Sequence, residues 1–237
     1  MSLPFKFKEF EVHQDRCAMK IGTDGVLLGA WASLENNPSI ILDIGAGTGL
    51  IALQLAQRSR AENIDAIEID DDAFEQCVKN FENSPWGDRL FCYHATAQEF
   101  ASEIEEKYDL IISNPPFYSE DFKPKIKARD IARFNDTLPF EQLIECAYNL
   151  LSEKGIFALI LPRKDEASFI ALASEVSLFP KRICRVRGNT ASEEKRSLLE
   201  FSFRSNETEI TSLTIETARH QYTEEYQKLV KDFYLKM

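Results

Sequence analysis

Two stretches hold residues whose types and spacing could do chemistry. The first is ILDIGAGTGL (41–50), an apolar run that carries Asp43 and then three glycines at alternate positions, Gly45, Gly47 and Gly49. The second is DLIISNPPF (109–117), an apolar run that stops at Asn114 and continues into Pro115, Pro116 and Phe117. The glycines allow a tight turn and a close approach of backbone to ligand. Their spacing is GxGxG, neither the GxGxxG of dinucleotide folds nor the GxxxxGK of phosphate loops. Glu68 follows 19 residues after Gly49, at the end of a strand-like run, where a carboxylate can accept both hydroxyls of a ribose. Ile69 stands beside it and joins the same set. Together these features describe a nucleoside-bearing cofactor with no phosphate to satisfy. S-adenosylmethionine has that make-up, and its positive charge suits the nearby acids. A glycine turn alone would be weak evidence; strand, DxGxGxG, helix and a spaced acid together are strong.

The second stretch complements the first. Proline fixes its own φ and pushes the preceding residue out of the helical region, so Asn114-Pro115-Pro116 is stiff and extended. In open α/β sheets, ligands bind at the carboxyl ends of strands. There the Asn114 side-chain oxygen and the Pro115 carbonyl, both acceptors, can face one NH₂ group. Such an amine is a poor nucleophile because its lone pair is delocalised. Two acceptors on its protons favour a pyramidal nitrogen and aim the lone pair at a methyl donor, with no strong base required. Phe117 offers a face for a planar group to stack on. The chemistry admits adenine N6, cytosine N4, guanine N2 or a glutamine amide.

The elements that must position these residues alternate along the chain. SIILDIG, IDAIEID, RLFCYHA, YDLIISN and IFALILP read as buried strands. TGLIALQLAQRS, DDAFEQCVKNFEN, LPFEQLIECAYNLLS and KDEASFIALASEV have helical spacing, the third ended by Gly155. Uniformly apolar strands between helices mean a parallel sheet covered on both faces. ICRVRG and RSLLEFSFR, adjacent strands joined by NTASEEK, suggest an antiparallel edge. The expected fold is α/β, Rossmann-like, with a mostly parallel seven-stranded sheet, an antiparallel edge strand and helices on both faces. No linker divides the chain, so residues 1–237 are expected to form one domain, with 1–38 as an amino-terminal extension and 205–237 as a carboxy-terminal strand/helix extension packed on it. In the tail, Tyr226, Leu229, Val230, Phe233 and Tyr234 form one apolar helical face.

Composition narrows the classes. No window of the 237 residues has the apolar length of a membrane span, and the amino-terminal stretch has no secretory apolar region. Five scattered cysteines and three dispersed histidines suggest reduced thiols in the cytoplasm and no metal site. Net charge is −11, which argues against a protein that coats itself in nucleic acid. Two basic patches stand out. One holds Lys123, Lys125, Lys127, Arg129 and Arg133; the other holds Lys181, Arg182, Arg185 and Arg187. Such patches can serve RNA through a restricted footprint, or be ordinary solvated surface.

Five segments together carry a family resemblance: DRCAMKIGTDGVLLGAW (15–31), DIGAGTGL (43–50), NSPWGDRL (83–90), SNPPFY (113–118) and YTEEYQKLVKDFYLKM (222–237). With them, essentially the whole chain resembles the tRNA1(Val) (adenine(37)-N6)-methyltransferases. The resemblance implies methyl transfer from S-adenosylmethionine to N6 of adenine 37, in the anticodon loop of a valine tRNA. It implies cofactor binding by Asp43, Gly45, Gly47, Gly49 and Glu68, with the segment holding Lys20 and Thr23 across the amino-acid end of the cofactor. Asn114, Pro115, Pro116 and Phe117 would clamp and stack the target adenine, and the two basic patches would meet RNA phosphates. Where related enzymes often place an Asp for the cofactor's adenine amine, this chain has Thr96. Competing readings are a ribosomal guanine-N2 enzyme, a protein-glutamine enzyme, a DNA methyltransferase and a non-catalytic RNA binder. Only 42 residues precede Asp43, too few for the helical domain of the glutamine enzymes.

Overall fold

The computed structural model describes residues 3–116 and 138–237. It begins with an antiparallel ribbon, β1 (Phe5–Lys6) and β2 (Glu11–Val12). There follow α1 (Thr23–Trp31), β3 (Ile40–Ile44), α2 (Leu50–Arg58), β4 (Asn63–Glu68), α3 (Asp71–Glu82), β5 (Leu90–His94), α4 (Ala97–Glu103) and β6 (Tyr108–Ser113). From residue 138 the chain forms α5 (Phe140–Leu150), β7 (Leu151–Pro162), α6 (Glu166–Glu175), β8 (Phe179–Asn189), β9 (Glu194–Ser202), β10 (Glu209–Ala218), β11 (Gln221–Tyr222) and α7 (Glu224–Val230).

All strands from β3 onward join one sheet, ordered β11-β10-β8-β9-β7-β6-β3-β4-β5. The pairs β4–β5, β3–β4, β3–β6 and β6–β7 are parallel, which requires the intervening helices to cross over. The α/β class, the mostly parallel sheet and an antiparallel edge are as expected. The sheet is two strands wider than the seven expected. β9 runs antiparallel between β7 and β8, β10 adds parallel to β8, and the antiparallel edge strand is β11.

Alternation along the strands sends side chains to two cores. Ile41, Leu110, Ile112, Ala158 and Leu198 meet α1, α2, α3 and α7 on one face. Leu42, Ile44, Ile111, Phe157 and Leu199 meet α4, α5 and α6 on the other. On α1, Val26, Leu27 and Leu28 are almost wholly buried, each contributing roughly 2 kcal/mol. α3 is well specified locally: Asp70 Oδ1 accepts from Ala73 N (2.9 Å), with Asp71 and Asp72 in the first turn and Lys79 in the last. β7 differs from expectation. It begins at Leu151, and Gly155 lies inside it beside a register shift opposite Tyr108 and Leu110. A Cβ at Gly155 would stand 2.9 Å from the Tyr108 carbonyl oxygen, so glycine there permits close strand approach and does not end a helix.

The two ends of the described chain are clasped together. Lys8 N donates to Phe233 O (2.9 Å), Phe7 bridges to Tyr234, and the Phe7 ring packs on Phe10 at 4.7 Å and Tyr234 at 5.9 Å. Tyr226, Val230 and Phe233 are buried, so the tail packs its apolar face as its spacing predicts.

Candidate active site

A cavity of about 590 Å³ opens at the carboxyl ends of β3, β4, β5 and β6. Its floor is the glycine loop. Gly45 and Gly47 have φ of +74° and +56°, and a Cβ at either would project into open space. Their role is backbone conformation and room for a ligand. Gly49 (φ +78°) differs: a Cβ there would stand 2.9 Å from Cys77 Sγ, so it serves close packing of the loop on α3, away from the cavity wall.

Glu68 is fixed by backbone. Its Oε2 accepts from Gly47 N (2.8 Å), and its Oε1 accepts from Ile69 N (2.8 Å) and Asp70 N (2.9 Å). The carboxylate is therefore oriented into the cavity rim with lone pairs to spare. Ile69 also lines the cavity and is 45% exposed, an apolar surface a ligand would cover. Asp43 does not reach the cavity. It is fully buried behind the loop, and neither carboxylate oxygen has a hydrogen bond of ordinary geometry. Burial pushes its pKa up to about 7; the nearby Ala52 amide partly offsets this, and the charge of Glu68 adds to it. An orphaned buried carboxylate under an open glycine loop suits a cationic ligand above it.

A strap of the amino-terminal segment forms one wall through Cys17, Ala18 and Met19. It is held by α3. Asn80 Oδ1 accepts from His13 N (2.9 Å), and Asn80 Nδ2 donates to His13 O (2.9 Å) and Thr48 O (2.8 Å), tying strap, helix and glycine loop together. Arg16 pairs with Glu75, and its backbone N donates to Gln76 Oε1. Lys20 and Thr23, the residues expected at the amino-acid end of the cofactor, are exposed and lie outside the cavity wall, which residues 17–19 form on this side. Burial, with the charges of Glu68 and Asp70, pushes the Cys17 thiol up to about 12, so it stays protonated.

Thr96 lines the cavity, but its hydroxyl is engaged in a capping box of α4. Thr96 Oγ1 donates to Glu99 Oε2 (2.8 Å) and accepts from Glu99 N (3.1 Å). Next to it, Gln98 Nε2 donates to Gln142 Oε1, joining α4 to α5 across the rim, and both side chains line the cavity. No local motif marks either glutamine; only the packing of α4 on α5 brings them there.

Asn114, Pro115 and Pro116 complete the opposite wall. Ser113 Oγ donates to Ile44 O (2.9 Å), locking the end of β6 to the end of β3. Gly25 lies beside the clamp, but the tight contact a Cβ there would make is with Leu50 Cδ2 at 3.2 Å, so its glycine serves the packing of α1 on α2. Phe117 and the patch holding Lys123, Lys125, Lys127, Arg129 and Arg133 lie outside the described residues.

The second basic patch is divided by strand alternation. Arg182 lies on the face of α1, its guanidinium 4.4 Å from the Trp31 ring centre and paired with the fully buried Glu200 at 3.1 Å. Arg185 and Arg187 point to the opposite face. Arg185 pairs with Glu166 at 2.9 Å, and Arg187 with Glu194 at 3.2 Å. Burial pushes Glu166 up, but hydrogen bonds from Arg185 and Ser197 and the charge of Arg163 outweigh it, so its pKa is lowered. Lys181 lies at the start of β8, beside a second cavity near the end of α2. Among the described residues, no group of His, Cys, Asp and Glu could hold a metal ion, and no helix is long and apolar enough to cross a membrane.

Solved structures share this architecture. A protein described as a predicted O-methyltransferase from Agrobacterium tumefaciens superposes with a TM-score of 0.66, at 20% identity, over 89% of this chain and 96% of that one. A ribosomal protein L11 methylase from Lactobacillus delbrueckii subsp. bulgaricus gives 0.52 at 16% identity, over 75% and 76%. Residues 26–177 match the model of the methyltransferase small domain. The fold and the cavity at its strand ends are those of a class I methyltransferase, a class that performs S-adenosylmethionine-dependent methylation. Relatives named tRNA1(Val) (adenine(37)-N6)-methyltransferase include one from Christiangramia forsetii, 62% identical over 99% of this chain and 98% of its own. Others are from Flavobacterium johnsoniae (61%, over 98% and 100%) and Bacteroides fragilis (44%, over 100% of both). This chain belongs to that family.

Proposed function

We propose that the chain is an enzyme that methylates N6 of adenine 37 in tRNA1(Val), beside the anticodon, using S-adenosylmethionine. The observation that carries this reading is one cavity with the Gly45–Gly47 floor and Glu68 at one end and Asn114-Pro115 at the other. When bound, S-adenosylmethionine supplies an electrophilic methyl group on a sulfonium. The residues fit such a ligand: Glu68 has lone pairs for ribose hydroxyls, Ile69 an apolar face for adenine, and the strap 17–19 a wall for the amino-acid end. Asn114 Oδ1 and the Pro115 carbonyl take the two N6 protons of the target, hold its nitrogen and stabilise the positive charge that develops there. Phe117 stacks the splayed base, which costs less to extrude from a loop than from a duplex. Residues 1–237 act as one domain in the cytoplasm. Lys123, Lys125, Lys127, Arg129 and Arg133 meet the RNA backbone. Lys181 is a further candidate, and Arg182, Arg185 and Arg187 would contribute only by exchanging their carboxylate partners for phosphates.

The test is to incubate purified protein with labelled S-adenosylmethionine and unmodified tRNA transcripts. Label is expected in valine tRNA as N6-methyladenine. Label in ribosomal RNA or protein, and none in tRNA, would overturn the substrate. Charge-neutralising changes at Lys123 to Arg133 should flatten the salt dependence of tRNA binding; an unchanged slope would remove that contact.

A further inference from the structure

In the proposed function Glu68, at the end of β4, accepts the ribose hydroxyls of the cofactor, and the inference about its adenine rests on that role. An adenine joined to that ribose must find its hydrogen-bonding edge met on the neighbouring side of the cavity, where the β5–α4 loop stands. Thr96 is the residue at that loop, but its hydroxyl both donates to and accepts from Glu99 in the cap of α4. One residue pair further along the rim is not spent in this way. Gln98 donates one amide proton to Gln142 Oε1. That leaves Gln98 Oε1 as an acceptor and the Gln142 amide as a donor on two exposed, mutually bonded side chains that line the cavity.

We propose that Gln98 and Gln142 together read the Watson–Crick edge of the cofactor's adenine. The edge presents a donor, the 6-amine, next to an acceptor, N1. Gln98 Oε1 accepts from the amine and the Gln142 amide donates to N1. The hydrogen bond between the two glutamines ties their side chains together at the rim. The target adenine is not a rival for the pair, because its amine is taken by Asn114 and Pro115. Gln98 and Gln142 are thus specificity-determining residues contributed by two helices, while the Thr96 hydroxyl is engaged in the cap of α4.

The test is calorimetric titration of the full-length protein with S-adenosylhomocysteine and with its analogue lacking the 6-amine. Wild type should bind the parent about tenfold more tightly. Gln98→Ala should weaken parent binding and bring the ratio close to one; alanine on an exposed helical position keeps the fold. Gln142→Ala should do the same for an analogue with carbon in place of N1. A Gln98→Ala protein that keeps the wild-type ratio overturns the proposal, as does a Thr96→Val protein that loses it. If wild type binds neither ligand, the methyltransferase reading falls and this inference with it.

Discussion

The cavity and the outer half of the sheet handle buried polar groups in opposite ways. In the outer half, charge is matched with charge. Glu200 faces Arg182, Glu166 faces Arg185 with Ser197 Oγ donating to it, and Glu194 faces Arg187. Beneath the glycine loop, Asp43 is as deeply buried as Glu200 and has no such partner. Burial raises the pKa of both, yet only Glu200 has an arginine to offset it. Without an arginine, burial and the charge of Glu68 hold the Asp43 carboxyl protonated below about pH 7. The contrast separates carboxylates paired within the sheet from one left unpaired beneath the glycine loop.

The comparison can be pressed from both sides. The largest effect is expected at the clamp. Asn114→Ala should lower the rate of methyl transfer by about 100-fold to 1000-fold, the range for loss of one preorganised polar group. S-adenosylhomocysteine binding should be unchanged, as single-turnover kinetics beside calorimetry would show. Next is Asp43. Its folded pKa of about 7 lies above the ordinary 3.8, so the folded state holds a proton that the unfolded state releases. Its stabilising contribution is full below the lower value and is lost as pH rises through about 7. Thermal scans of the ligand-free protein should show Tm falling from pH 5 to pH 8, with Asp43→Asn removing that part of the slope. Cofactor binding near pH 7 should also release protons, seen as a buffer-dependent heat.

In the outer half, Arg182→Ala should cost about 3 kcal/mol in denaturant unfolding, because it strands Glu200, while turnover at 25 °C is kept. Loss of turnover without loss of stability would instead make Arg182 part of the substrate path. The smallest effect is at the helix cap. Thr96→Ala should cost about 1 kcal/mol and leave cofactor affinity intact.

Much of this was legible in the sequence, for physical reasons that differ by element. The strand–helix alternation, the glycine loop, Glu68 and the Asn114-Pro115-Pro116 turn are local signals, and each sits at the expected end of its strand. What escaped depends on contacts between distant segments. α1 carries Gly25 and Gly29, which weaken its helical signal, and it exists because it packs on α2. β10 lies in the carboxy-terminal segment expected to carry a strand and a helix, but its mostly polar, exposed residues give no sign that it widens the main sheet and pairs with β11. Lys20 and Thr23 are expected across the amino-acid end of the cofactor; the cavity wall nearest them is formed by 17–19, fixed by Asn80 on a helix more than 60 residues away. Thr96 looked like a ligand contact from its position, and only the Glu99 geometry shows where its hydroxyl goes. The run KRICRVR read as one patch because a linear count of charge ignores the period of two that sends Arg182 and Arg185 to opposite faces.

The clasp between Phe7 and Tyr234 sets an order of events during synthesis. A contact that spans 227 positions is closed late, since long-range closure is the slow entropic step in folding. The strap at 13–19 hangs between that clasp and α3. The wall at 17–19 is thus bordered by two anchors of different range, Asn80 on α3 and the clasp to the last residues, and a chain cut before residue 233 should lose the second while keeping the first.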